Sequence, residues 1–236
     1  KDTYLGLTKS YTPGNCPSPY CPIEFSFFPI IWRADVITEL DKNGNVIWNW
    51  DFADYIGIEN YNWRYFNLSP VNDYIVDWTH SNEVFYDEED NAVYVSIRNL
   101  NTITKIDYET KEVIWHLGDL DTLGNNSYFN EHPTFNHQHT PIVSNNNIMI
   151  FNNGTYNSAI PISSCQEYSI NSNSFELVWE YILPDSLWTG ARGSCEHLNN
   201  GNILISTGQS GNFIELNDDD EIVYHGVIEE VDGSSS

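Results

Sequence analysis

Apolar and polar positions alternate in short runs along most of this chain. The clearest run of runs is Asp77 to Gly118, DWTHSNEVFYDEEDNAVYVSIRNLNTITKIDYETKEVIWHLG. A first strand is predicted over HSNEVFY, before a turn at Asp87 to Asn91. Ala92 to Ile97, Ile103 to Asp107 and Val113 to Leu117 follow. Each run has four to seven residues, is rich in Val, Ile, Tyr and Trp, and is bounded by Asn, Asp or Gly. Four antiparallel strands from about 40 contiguous residues make one blade of a propeller.

The unit recurs. ITELDKNGNVIWNW (Ile37 to Trp50), CQEYSINSNSFELVWEY (Cys165 to Tyr181) and FIELNDDDEIVYH (Phe213 to His225) match its second half. Turn residues Asp41, Asp107, Asn171 and Asn217 fall in register, as do the closing aromatics Trp48, Trp115, Trp179 and Tyr224. The preceding strands repeat at positions 91, 146 and 201, spaced by 55 residues. One blade cannot bury both faces alone, so stacking gives each aromatic a neighbouring sheet to pack on. The predicted class is all-β, a β-propeller of four-stranded antiparallel blades with about four blades visible. The predicted organisation is an N-terminal segment over 1–24, looped by a disulfide, a propeller domain over 25–228, and a disordered tail over 229–236.

Composition narrows the partners. The 236 residues include 34 acidic and only 9 basic side chains, a net charge of −25. That excludes nucleic acid, whose phosphates need Lys and Arg. No apolar run approaches a membrane span. The chain starts at Lys-Asp-Thr without an initiator Met and reads as a processed form. The runs at Asp87–Asp90 and Asp218–Asp220 read as acidic turns more simply than as cation sites. No cofactor or metal is predicted.

Four cysteines, Cys16, Cys21, Cys165 and Cys195, are an even count suited to an oxidising compartment. Cys16 and Cys21 bound a Pro-rich loop and suit a local bridge; Cys165 and Cys195 fall in successive repeats and suit a staple between blades. With that context, the sequons at Asn125 and Asn153 are candidate glycan sites, while the one at Asn67 is weakened by its trailing proline.

Of the seven histidines, His80, His137, His139 and His197 lie at the starts of repeats, and His80, His139 and His197 are 59 and 58 residues apart. First strands of blades line a propeller's channel, so these three are expected to converge there, as nucleophile, acid/base or metal ligands. His116, His132 and His225 fall in strand ends or loops and read as structural or surface residues.

The DWTHSN block and its SxR strand, the Gln138-His139 pair, IMIFNNG (Ile148 to Gly154), Glu167-Tyr168 and LNNGNILIS (Leu198 to Ser206) together resemble the PAPS-independent arylsulfotransferases of bacteria and archaea. The resemblance covers roughly residues 35 to 225. It implies a six-bladed propeller, secretion to the periplasm or exterior, and transfer of a sulfuryl group from a phenolic sulfate to a phenol through a histidine. His80 and Asn82 match the family's DxxHxN motif, and His139 its QH motif; His197 is the candidate in the region of the nucleophile. The family's Ser-Arg arginine is absent: Ser163-Ser164 stands there. Arg98, in the SxR strand, and Arg192 are the candidate sulfate-binding cations. A second reading is a catalytically degenerate extracellular glycoprotein that self-associates, into a filament for instance, through open blade edges.

Overall fold

The computed structural model describes residues 2–15, 29–58, 61, 75–118, 135–155, 160–171 and 174–228. The chain is all-β apart from one short helix and a few 3-10 turns among these residues. It divides into two compact units, Lys1–Pro133 and Thr134–Ser236. Each carries two four-stranded sheets. No helix among the described residues is long and apolar enough to cross a membrane.

The first sheet of the first unit departs from a simple meander. It contains β1 (Thr3–Asn15), β2 (Pro29–Asp41), β3 (Val46–Asp51) and β4 (Ile75–Asp77). β2 is central, with β1 antiparallel along its whole length. On its other side β3 pairs with Val36–Leu40, and β4 runs parallel to Ile31–Arg33. The span expected to form a disulfide-looped segment therefore carries a 13-residue strand, β1. Its Gly6, Pro13 and Gly14 disguise it in sequence, yet Pro is tolerated where a strand lies at a sheet edge. Cys16 and Cys21 lie outside the described residues. A four-residue helix α1 (Phe52–Tyr55) follows β3, with Asp51 capping the Ala53 N–H.

The second sheet is the meander that the alternation predicts: β5 (Ser81–Asp87), β6 (Ala92–Ile97), β7 (Thr102–Asp107) and β8 (Val113–Gly118). Every residue of β6 is buried. The core of this unit gathers Trp32, Trp50, Phe52, Val93, Val95, Ile97, Leu100 and Ile106 from both sheets. Each fully buried aliphatic contributes roughly 1.5–3 kcal/mol.

The second unit repeats the plan with β9 (His139–Ser144), β10 (Asn147–Asn152), β11 (Ser164–Asn171) and β12 (Ser174–Ile182), then β13 (Ser194–His197), β14 (Ile203–Ser206), β15 (Asn212–Leu216) and β16 (Ile222–Val227). A disulfide joins Cys165 on β11 to Cys195 on β13, between the two sheets.

Two repeated details explain the registered residues. Asp41, Asp107 and Asn217 each accept backbone N–H groups from residues just ahead in the turn, for example Asn43 and Asn45 at 2.8 and 2.9 Å on Asp41. These are Asx turns, which is why the hairpins demand Asp or Asn there. Each outer strand also carries a β-bulge just before its closing aromatic. The unpaired residues are Ile47, Ile114, Val178 and Val223, all exposed. The extra residue turns the aromatic toward the neighbouring sheet. Trp48 Nε1 donates to Tyr108 O at 2.8 Å, and Trp179 Nε1 to Asp220 Oδ1 at 3.0 Å, in each case across to the next sheet of the unit.

Candidate functional site

The densest chemistry of the first unit lies where β4 ends and β5 begins. Asp77 closes β4 and Ser81 opens β5, so Trp78, Thr79 and His80 form the connection. The 3-10 turn Arg98–Leu100 holds it from beneath. Arg98 and Asn99 donate their backbone N–H groups to His80 O (3.3 Å) and Thr79 O (3.0 Å), and Asn99 Nδ2 donates to Asp77 O at 2.7 Å. His80 takes φ +49°. That left-handed conformation is uncommon outside glycine and persists where the surroundings over-determine it.

Asp77 receives three donors. Arg33 reaches its carboxylate through Nε at 3.2 Å and Nη2 at 2.7 Å, and the His80 Nδ1–H bonds Oδ2. Burial alone would push the Asp77 carboxyl up, but the hydrogen bonds and charges of His80 and Arg33 outweigh it and hold Asp77 well below the usual carboxylate range. The bond to Asp77 raises the Arg33 guanidinium in return. An ionised carboxylate on Nδ1 fixes the tautomer. The proton stays on Nδ1 and the lone pair on Nε2, which has no protein partner among the described residues. The His80 side chain is 44% exposed. A carboxylate-oriented imidazole with a free Nε2 is the arrangement of a nucleophile or general base.

His80, Asn82 and Arg98 of the sequence prediction thus share one end of the second sheet. Arg33 and Asp77 carried no predicted role, although the Asp-x-x-His spacing of the DWTHSN block already allowed the carboxylate to reach the ring.

In the second unit His139 and Arg192 meet through the backbone. Arg192 N–H donates to His139 Nε2 at 3.1 Å, so that nitrogen serves as an acceptor. The Arg192 carbonyl accepts from Asn153 Nδ2 at 2.8 Å, and Thr140 Oγ1 donates to Gly193 O at 3.0 Å. Arg192 has φ +63°. Gly193 follows at φ +119°, where a Cβ would stand 2.5 Å from the Phe151 ring. Ser163 Oγ lies 3.2 Å from both Asn153 O and Thr189 O, which share its one proton, and accepts from Thr189 N–H.

Three expectations change. His139 and His197 are not register equivalents. His139 faces Phe151 late on β10, whereas His197 faces Ile203 at the start of β14. The position of His139 belongs in the next sheet to Ser194, opposite Ser206. The equal spacing in sequence comes from loops of different length. His197 instead sits 51% exposed with Nε2 3.2 Å from Glu167 of the preceding sheet. Asn153 is fully buried, with its Nδ2 donating to both Thr189 O and Arg192 O at 2.8 Å. This is a structural amide, and the folded unit leaves no room for a sugar on that nitrogen. Asn125 lies outside the described residues. His116 is buried against Thr104 and His225 bonds Asn212, as structural residues do; His132 lies outside the described residues. No three His, Cys, Asp or Glu side chains gather into a metal-binding group among the described residues.

Solved structures similar to this chain include a protein of unknown function from Bacteroides caccae, 12% identical over 84% of this chain and 71% of that one, with a TM-score of 0.38. Another is the rhamnogalacturonan lyase PL11 of Bacillus licheniformis, 10% identical over 81% of this chain and 35% of that one, with a TM-score of 0.39. Neither likeness bears on function. No curated protein matches the chain. The family model described as arylsulfotransferase (ASST) matches residues 32–235, the first unit from residue 32 onward and the second but for its last residue, and the chain belongs to that family.

Proposed function

We propose that the chain transfers a sulfuryl group from a phenolic sulfate to a phenol, with His80 as the residue that carries it. The observation behind this reading is the Asp77 carboxylate on His80 Nδ1, which leaves the Nε2 lone pair outward. Nε2 attacks the sulfur of the aryl sulfate. The sulfur–oxygen bond to the ring breaks and phenolate departs. The imidazole is then sulfated at Nε2, protonated at Nδ1 and cationic, and Asp77 offsets its charge. A second phenol attacks the sulfur, loses its hydroxyl proton to solvent, and the nitrogen–sulfur bond breaks to restore His80. No nucleotide sulfate donor enters.

Cations are needed for the sulfuryl oxygens. Arg98 follows on the turn that holds the His80 carbonyl. In the second unit, Ser164 stands where the family's arginine is expected, and Ser163 where its serine is. The Ser163 hydroxyl ties down Thr189, close in sequence to Arg192, whose backbone is fixed at both its N–H and its carbonyl. Arg192 is the lysine or arginine nearest in sequence to that position. The disulfide supports secretion into an oxidising compartment.

The second reading, a non-catalytic extracellular protein that associates with itself, draws on β16. It is an edge strand exposing Val223, Tyr224 and Val227. The bulges weigh against it, because they interrupt the outer edges as templates for pairing. The deciding experiment is turnover of 4-nitrophenyl sulfate with phenol as acceptor, followed by nitrophenolate absorbance, in wild type and His80→Ala. Turnover abolished by the substitution is expected. A folded, disulfide-intact wild type without turnover would shift the reading to assembly.

A further inference from the structure

One buried carboxylate holds both neighbours of His80. Asp35, on β2, is fully buried. Its Oδ2 accepts the Thr79 hydroxyl at 2.5 Å and the Ser81 N–H at 2.7 Å. Its own backbone N–H donates to Thr79 Oγ1 at 2.9 Å. The residues before and after His80 are therefore pinned to a single side chain, and His80 between them is held at φ +49°.

A buried carboxylate needs a counter-charge, or it protonates or turns toward water. Here the cation is Lys9 of β1, whose Nζ pairs with Asp35 Oδ1. Lys9 lies opposite Asp35 in the β1–β2 ladder. Arg33 is near in sequence, but its guanidinium is engaged by Asp77. β1 precedes the family-matched segment, which begins at residue 32.

We propose that β1 is a positioning strand for the His80 site, and Lys9 the positioning residue that acts through Asp35. The proposal rests on His80 as the reactive group. Lys9 neutralises Asp35, the charged Asp35 fixes Thr79 and Ser81, and these set the turn that presents the imidazole. The coupling depends on register. A slip of β1 by one residue would move Lys9 to the opposite face of the sheet and leave Asp35 bare.

The test compares full-length wild type, Lys9→Met, Lys9→Arg and Tyr4→Ser. Tyr4 is 70% exposed on the same strand and serves as the control. Two readouts are taken: the His80 Cε1–Hε1 cross-peak in NMR, and kcat and KM on 4-nitrophenyl sulfate. Lys9→Met should move the His80 peak and lower kcat roughly 10- to 100-fold, with KM within about twofold. Lys9→Arg should restore both, and Tyr4→Ser should change neither. A folded Lys9→Met with the His80 peak at its wild-type position overturns the proposal. If Lys9→Met does not fold, Lys9→Gln, which keeps a hydrogen bond to Asp35 without the charge, is judged by the same peak. A moved peak in chains that never turn over sulfate upholds the positioning role and removes the transferase reading.

Discussion

Replacing Asp77 by Asn is the sharpest challenge to the His80 site. The carboxylate accepts from Arg33 Nε, Arg33 Nη2 and His80 Nδ1. A carboxamide cannot satisfy all three, since one of its two heads is a donor. If the amide oxygen stays with His80, its NH2 opposes the Arg33 Nε–H. The site then loses the negative charge, and the bond between charged partners is worth about 1.5–3 kcal/mol, or roughly 10- to 150-fold in rate. If the amide turns the other way, its NH2 faces Nδ1. The ring proton must then move to Nε2, which removes the attacking lone pair. The same substitution in serine proteases, where it produces the wrong tautomer, costs about 10⁴-fold. The expected loss in kcat/KM is therefore at least about 10-fold, rising toward about 10⁴-fold if the tautomer changes. The assay pairs nitrophenolate release with imidazole 15N shifts, which distinguish the two tautomers. Activity within about twofold of wild type would refute the argument, whatever the tautomer.

Two further outcomes follow from the packing. Burial pushes the His116 imidazole down to about 4 from 6.5, so the folded chain leaves it neutral while the unfolded chain takes up a proton. Stability should be full above about pH 6.5 and fall as pH drops toward 4, by about 3 kcal/mol in all. His116→Gln should flatten that slope in urea melts, and equal slopes in the two proteins would count against it. Removing the Cys165–Cys195 bridge, with its separation of 30 residues, by a double Cys→Ala substitution should cost about 3–4 kcal/mol in unfolding free energy. Equal denaturation midpoints for the oxidised wild type and the double variant would contradict this.

The meanders were legible because their signals are local. Period-two alternation, an Asx turn and a closing aromatic repeat within each unit of sequence, and the structure uses each for the reason the pattern suggests. The bulges are the step that alternation conceals. ITKIDYETKEVIWHLG sets Val113, Ile114 and Trp115 in one apolar run, which alternation cannot assign to faces, and the structure loops out Ile114 so that Trp115 pairs with Lys105. β1 was illegible for a different cause. Its pairing with β2 spans up to 38 positions, from Thr3 to Asp41, and glycine and proline erase its period.

The site shows the same divide between local and long-range information. Asp77 and His80 are three residues apart, and the motif containing them is readable as a block. The groups that give the pair its character come from elsewhere: Arg33, 44 residues before Asp77, and Asp35, 44 before Thr79. Sequence spacing then misled in the other direction. His80, His139 and His197 repeat at nearly equal intervals, but spacing measures chain length, loops included, whereas hydrogen-bond register fixes where a side chain stands. Register sets His197 opposite Ile203 and against Glu167. It sets Lys9 opposite Asp35, where composition alone showed one of few basic residues in an acidic chain. Chemistry in a sheet protein is specified by which residues the ladders place opposite one another. For this chain the ladders single out the β4–β5 connection, where one buried carboxylate holds both neighbours of a histidine in an uncommon backbone conformation, as the place for the chemistry proposed at His80.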